Sequence, residues 1–199
     1  MRPDQKLIAE WIKPGSRVLD LGCGDGALLA QLQSTLGVTG FGIEIEPHNI
    51  LECIKRGINV IHSDLDQGLS DFDADSFDYV VMTQTLQAMR FPARVLKDML
   101  RVGREGIVTF PNMGHWHARL QFMLGRMPTT RALPMSWYET PNLHLCTIKD
   151  FEDLCRVENF DIIDRTAVDA SHQRGALMRL RPSLFGEIAL FRVRQLVRY

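Results

Sequence analysis

Apolar positions along this chain alternate between a helical spacing and a strand spacing. Leu7, Ile8, Trp11 and Ile12 recur as one face of a helix, which Pro14-Gly15 ends. Arg17 to Leu21 then reads as a strand, Ala27 to Leu36 as a helix burying Leu28, Leu29, Leu32 and Leu36, and Gly40 to Ile45 as a second strand. Pro47 opens a helix at its first turn, where a missing N–H costs nothing. Asn59 to His62 is a short third strand, and Ser63 to Ser76 an acidic loop. Phe77 to Thr83 is a strongly β-prone fourth strand, Pro92 to Val102 a helix, and Gly106 to Phe110 a fifth strand. Thr147 with Asp150 has the form of a capping box that starts a helix to about Val157. Phe160 to Val168 and Glu187 to Arg194 are further strands, whereas residues 169–186 carry no assignable pattern.

Strands alternating with helices predict an α/β fold, a seven-stranded, mostly parallel sheet with helices on both faces. The last two strands lack a helical crossover between them, so they are expected to pair antiparallel, with one strand reversed at the edge. A chain of 199 residues fits a single domain spanning 1–199.

The most informative stretch follows the first strand: Asp20-Leu21-Gly22-Cys23-Gly24-Asp25-Gly26. Closely spaced glycines between a strand and a helix leave bare backbone for a ligand, and the helix N-terminus adds free N–H groups. A dinucleotide fingerprint is G-x-G-x-x-G with an acid roughly 20 residues further on. Here the glycines are spaced G-x-G-x-G, and Asp20 sits two residues before the first of them. A carboxylate there would repel a pyrophosphate but suits a ligand with an ammonium or sulfonium charge, such as S-adenosylmethionine. This D-x-G-x-G-x-G form resembles motif I of the class I, Rossmann-like methyltransferase superfamily. That resemblance implies a cofactor site built from Asp20, Gly22, Cys23, Gly24 and Gly26, together with Glu44 and Ile45 at the end of the second strand. In that fold the acid at the Glu44 position accepts hydrogen bonds from the ribose hydroxyls. Glu46 is the competing acid, pointing the other way if the strand continues.

Ligands of open α/β sheets lie beyond the carboxyl ends of the strands. Asp64-Leu65 follows the third strand, where the superfamily places an acid on the adenine amino group and a backbone amide on the ring; a solvated loop acid is the alternative for Asp64. Thr83-Gln84 follows the fourth strand, beside the methionine part of the ligand or a substrate, and Pro111-Asn112 follows the fifth.

Residues 112–146 are too long for a plain connection of roughly 2–6 residues. They hold two of the three tryptophans, and also Asn112, His115, His117, Arg119, Tyr138, Asn142 and His144. A lid or interaction segment is expected there, with a satellite core as the alternative. A zinc site from His115, His117 and His144 lacks any accompanying cysteine or acid pattern, so no metal is expected.

Net charge near zero and a pI of about 6.6 favour no class of partner. Cys23, Cys53, Cys146 and Cys155 form no C-x-x-C pair and read as reduced thiols. No run approaches the roughly 18 apolar residues of a membrane span, and the N-terminus has no signal-peptide core, so no membrane and a cytoplasmic location are expected. Arg174, Arg179, Arg181, Arg192, Arg194 and Arg198 gather near the C-terminus, opposed there by Glu187 alone. They read as a guarded edge strand or as a nucleic-acid surface; no nucleic-acid module accompanies them. No N/D-P-P-Y motif or catalytic cysteine motif is present, and His115, His144 and Tyr138 are the only appealing general bases. The cofactor half of an enzyme is thus written here, and the catalytic residues are unknown.

Three further stretches carry a narrower resemblance: Gln84-Thr85-Leu86-Gln87, Phe110-Pro111-Asn112-Met113-Gly114-His115-Trp116, and Leu133 to Thr147, L-P-M-S-W-Y-E-T-P-N-L-H-L-C-T. With the glycine turn, they resemble the MetW family of bacterial methionine-biosynthesis proteins nearly end to end, apart from Met113, where an aromatic is expected. The resemblance implies an accessory subunit that binds S-adenosylmethionine or S-adenosylhomocysteine and activates a homoserine O-acyltransferase, MetX. A partner surface or lid would then lie within 112–146. A small-molecule methyltransferase is the alternative, and a free adenosyl-ligand sensor a third.

Overall fold

A computed structural model describes residues 3–130, 133–134, 143–169, 175, 178 and 180–196. Trp137, Tyr138, Asn142, Arg174, Arg179 and Arg198 lie outside the described residues. The strands are β1 (Arg17–Leu21), β2 (Thr39–Glu44), β3 (Val60–His62), β4 (Phe77–Thr83), β5 (Gly103–Pro111), β6 (Phe160–Val168) and β7 (Ile188–Gln195). The helices are α1 (Pro3–Trp11), α2 (Ala27–Leu36), α3 (Pro47–Lys55), α4 (Pro92–Val102), α5 (Trp116–Met123) and α6 (Ile148–Glu158). None of them is long and apolar enough to cross a membrane.

The seven strands form one sheet in the order β3-β2-β1-β4-β5-β7-β6. The first five pair in parallel, and β7 runs antiparallel to both β5 and β6. The reversed strand is therefore not at the edge, as the sequence suggested; β6 takes that place and β7 is wedged inside it. Sequence order alone says that two strands pair, and leaves open which of them also pairs with β5.

Strand alternation sends neighbouring side chains to opposite faces. Val80, Met82 and Val108 pack with α4 and α6 in one core, which contains Leu96, Met99 and Phe151. Tyr79, Val81 and Ile107 pack with α1 and α2 in the other, against Ile8, Trp11, Leu29 and Leu32. Phe110, Phe151 and Phe191 join β5, α6 and β7, with ring centroids 4.6–5.8 Å apart. The capping box of α6 is complete: Asp150 N–H donates to Thr147 Oγ1 at 3.2 Å, and Thr147 N–H donates to Asp150 Oδ2 at 2.8 Å.

One element was missed and one expectation needs correction. The 112–146 stretch contains a helix, α5, that the sequence pattern did not show. Its apolar residues point all round the helix, and Ala118 is its one buried position, so no helical stripe was readable. Of the C-terminal arginines, the described Arg192 and Arg194 do not guard an edge. Arg192 lies on the internal β7 and makes a bidentate pair with Glu105 of β5 at 2.6 and 3.2 Å. Arg194 pairs with Asp161 of β6 at 2.8 Å. Both opposing acids are remote in sequence, which hid the neutralisation. In the 169–186 region a single helical turn, Pro182–Phe185, precedes β7.

Candidate functional site

The turn after β1 is fastened to the end of β2. Gly22 N–H and Cys23 N–H both donate to Ile43 O, at 2.8 and 3.1 Å. Gly24 N–H donates to Glu44 Oε2 at 2.7 Å, while Glu44 Oε1 accepts from the N–H groups of Ile45 and Glu46. Glu44 is buried, and its carboxylate faces the turn 20 residues upstream. Glu46 sits instead at the exposed start of α3, and Ile45 is exposed just beyond β2.

Two glycines are required for different reasons. Gly22 has φ 70°, and a Cβ there would lie 2.6 Å from Thr85 Oγ1. Gly24 has φ 56°, and a Cβ on it would project into open space. The first is needed for packing, whereas the second leaves bare backbone on a cleft of about 570 Å³. Gly22, Cys23, Gly24, Asp25, Ala27, Leu28, Thr83 and Gln5 line that cleft. An open cradle of glycine backbone beside a buried carboxylate fits an adenosyl ligand that has hydroxyls to donate.

Of the residues read from the sequence, Gly22, Cys23, Gly24 and Thr83 line this cleft directly. Asp20 is buried near the end of β1, between Gly42 and Val81 of the neighbouring strands. Glu44 joins the cleft through Gly24, and Gly26 closes the turn at φ 73°. Asp64 and Leu65 stand on the same sheet edge beyond β3, but not among the residues lining the cleft. Asp64 caps the short turn Leu65–Gln67 by accepting from Asp66 N–H at 3.0 Å. Gln5 of α1 was missed, since a buried glutamine inside an amphipathic helix carries no sequence signal.

The Cys23 sulfur has neighbours of its own. It lies 3.7 Å from Cys53 Sγ of α3, and Cys53 donates to Gly24 O at 3.2 Å. Burial and the nearby carboxylates of Asp20 and Glu44 push the Cys23 thiol well above the ordinary range, so it is held protonated. Half-buried Cys146 and buried Cys155 are both pushed up to about 12 by the loss of solvent around the thiol.

The connection after β4 touches both halves of the sheet edge. Gln84 adopts left-handed backbone, φ 53°, with its N–H shared by Thr109 O and Oγ1 at 2.9 and 3.1 Å. Gln87 Nε2 donates to Gln84 O at 2.6 Å, which leaves Gln87 Oε1 buried without a hydrogen-bond partner. His144 N–H donates to Gln87 O at 2.7 Å. Asn112, also buried, ties three elements together: Oδ1 accepts from Gly114 and Ile148, and Nδ2 donates to Ser183 O and Gly186 O. Among the described residues, no three histidines, cysteines or acids are grouped to hold a metal.

A 3-2-1-4-5-7-6 sheet with β7 reversed, a glycine turn after β1 and an acid ending β2 define the class I methyltransferase fold. An S-adenosylmethionine-dependent methyltransferase from Mesorhizobium loti superposes with a TM-score of 0.71 at 17% identity, covering 97% of this chain and 98% of that one. The chain belongs to the family of methionine biosynthesis protein MetW, whose model matches residues 2–193. It is 40% identical over 161 residues to the bifunctional methionine biosynthesis protein MetXA/MetW of Rhodopirellula baltica, a match over 76% of this chain and 26% of that protein. It is 34% identical over 107 residues to ribosomal protein L11 methyltransferase of Burkholderia lata, over 51% of this chain and 35% of that protein. The chain thus spans about a quarter to a third of the length of these relatives.

Proposed function

We propose that this chain binds S-adenosylmethionine or S-adenosylhomocysteine at the glycine turn and, as a cytoplasmic accessory subunit, activates a homoserine O-acyltransferase of the MetX type. The observation that carries the reading is the family membership together with a relative that joins MetXA and MetW in one polypeptide. Two proteins found as one chain are held at high effective concentration, the condition a separate pair must reach by docking.

The cofactor half of the proposal rests on the turn. Gly24 leaves its backbone open on the cleft, and Glu44 offers carboxylate oxygens to ribose hydroxyls. Asp20 contributes negative charge beneath the turn, Thr83 closes the cleft at the end of β4, and Gln84 holds that end in place. Asp64 and Leu65 are assigned to the adenine side, with Ile45 flanking them. The bound sulfonium form carries a methyl group that can be transferred to an acceptor. Among the described residues that line the cleft, the one carboxylate, Asp25, is held in an ion pair with Arg56 at 2.7 Å, which supports sensing over transfer.

Coupling between the cleft and the segment after Asn112 has a physical route. Thr85 packs on Gly22, and two residues later Gln87 holds His144. If the ligand changes affinity for the acyltransferase, the acyltransferase changes affinity for the ligand by the same factor; typical couplings of about 1–3 kcal/mol correspond to roughly 5–150-fold. The deciding experiment measures homoserine acylation by the cognate acyltransferase with and without this protein, each with and without S-adenosylmethionine. A rise in rate on adding the chain is expected. An unchanged rate under all four conditions refutes the accessory role, and methyl transfer to a metabolite, lost in Asp20→Ala, would replace it.

A further inference from the structure

A second cleft, of about 550 Å³, opens on the same sheet edge where β5 leads into α5 and the chain enters β7. Its walls include His115, Trp116, His117, Thr129, Thr130 and Glu187. None of them lines the glycine-turn cleft. We propose that this cleft binds a small free α-amino acid with an apolar or thioether side chain, its carboxylate at the start of α5 and its ammonium on Glu187.

The donor end is built by the backbone. His115 precedes the first turn of α5, whose leading N–H groups have no partner within the helix. Those groups and the helix dipole favour an anion. His115 is more than nine-tenths buried and lines the cleft, and among the described residues its ring has no hydrogen-bond partner, so a polar ring is held ready at the wall. Burial lowers its pKa and opposes the pull of Glu187, which keeps the imidazole neutral at pH 7.

His117 adds a donor whose tautomer can be worked out. Gln121 Oε1 accepts from Thr129 N–H at 3.0 Å and Gln121 Nε2 donates to Thr129 O at 2.9 Å, which fixes the amide orientation. Gln121 Nε2 therefore also donates to His117 Nδ1 at 3.0 Å, so the ring proton sits on Nε2. Thr130 Oγ1 accepts from Leu133 N–H, leaving its own O–H to donate.

One acid stands beside the donors, close enough for its charge to act on His115. The Glu187 backbone is pinned, its N–H to Val168 O and its O to Asn112 N–H, both at 2.8 Å, while among the described residues its carboxylate has no cationic partner. Donors beside a carboxylate match an α-amino zwitterion, whose two charges share one carbon, rather than a simple anion or cation. The exposed indole of Trp116 supplies an apolar wall for the side chain.

The test follows the histidine ring nitrogens of the full chain by NMR. Four probes are titrated: L-methionine, glycine, N-acetyl-L-methionine and L-methionine methyl ester. L-Methionine is expected to shift His115 and His117, and loss of either charge should weaken binding roughly ten- to a hundredfold. Glu187→Gln should weaken L-methionine while leaving the N-acetyl derivative unchanged. Histidine signals that ignore all four probes, or respond to all four alike, overturn the proposal. S-Adenosylmethionine titrated into the same sample reports on the glycine turn separately, so either site can fail without the other.

Discussion

Glu44 is the side chain on which the proposed adenosyl site turns. Its carboxylate already accepts three backbone N–H groups, including that of Gly24, so it is fixed before any ligand arrives. A charge-assisted hydrogen bond is worth about 1.5–3 kcal/mol. Glu44→Gln keeps an acceptor oxygen for the turn but loses the charge, and S-adenosylmethionine affinity is expected to fall by about one to two orders of magnitude. Calorimetric titration measures the loss, and an unchanged circular dichroism spectrum separates it from unfolding. Affinity equal to that of the natural chain would remove Glu44 from the site. This residue was legible because glycine spacing and an acid ending the next strand are local patterns. The shared hydrogen bonds of Gln84, Gln87 and His144 were not, since the longest, from His144 N–H to Gln87 O, joins positions 144 and 87 through main-chain atoms that every residue possesses.

Among the elements, α6 shows how a short signal can set a boundary. Thr147 and Asp150 satisfy each other's backbone donors, and the helix begins at the following residue, Ile148. Thr147→Ala should lower stability by about 1 kcal/mol, read as a lower denaturant midpoint with an unchanged slope. A midpoint equal to that of the natural chain would show that the cap contributes nothing. The strands and most helices were legible for the same kind of reason: apolar periodicity and Pro or Gly punctuation act within one element. Helix α5 was hidden because nothing buries a single face of it. Trp116, Leu120, Phe122 and Met123 are all exposed, so the usual stripe has no cause. Gln5 was hidden for the opposite reason: its role comes from an element it meets only in three dimensions.

At the level of the whole molecule, the sheet is joined by contacts that sequence distance conceals. Arg192 and Glu105 lie 87 residues apart and pair across β5 and β7. Phe191 stacks on Phe110 and leans on Phe151, so one ring bridges two strands and a helix. Phe191→Ala should cost about 3–5 kcal/mol, near the whole margin of a marginally stable domain, and a loss of cooperative thermal unfolding is the expected readout. A melting transition shifted by no more than a degree or two would place the centre of the core elsewhere.

The position of β7 has a consequence for how the molecule is made. A ribosome delivers β6 before β7, yet β6 touches the sheet only through β7. While β7 is still being synthesised, β5 presents a bare edge and β6 has no strand to pair with. The nascent chain must therefore hold two unpaired strands apart until Ile188–Gln195 arrives and threads between them. A stop codon just before that segment would remove the strand that makes β6 part of the protein.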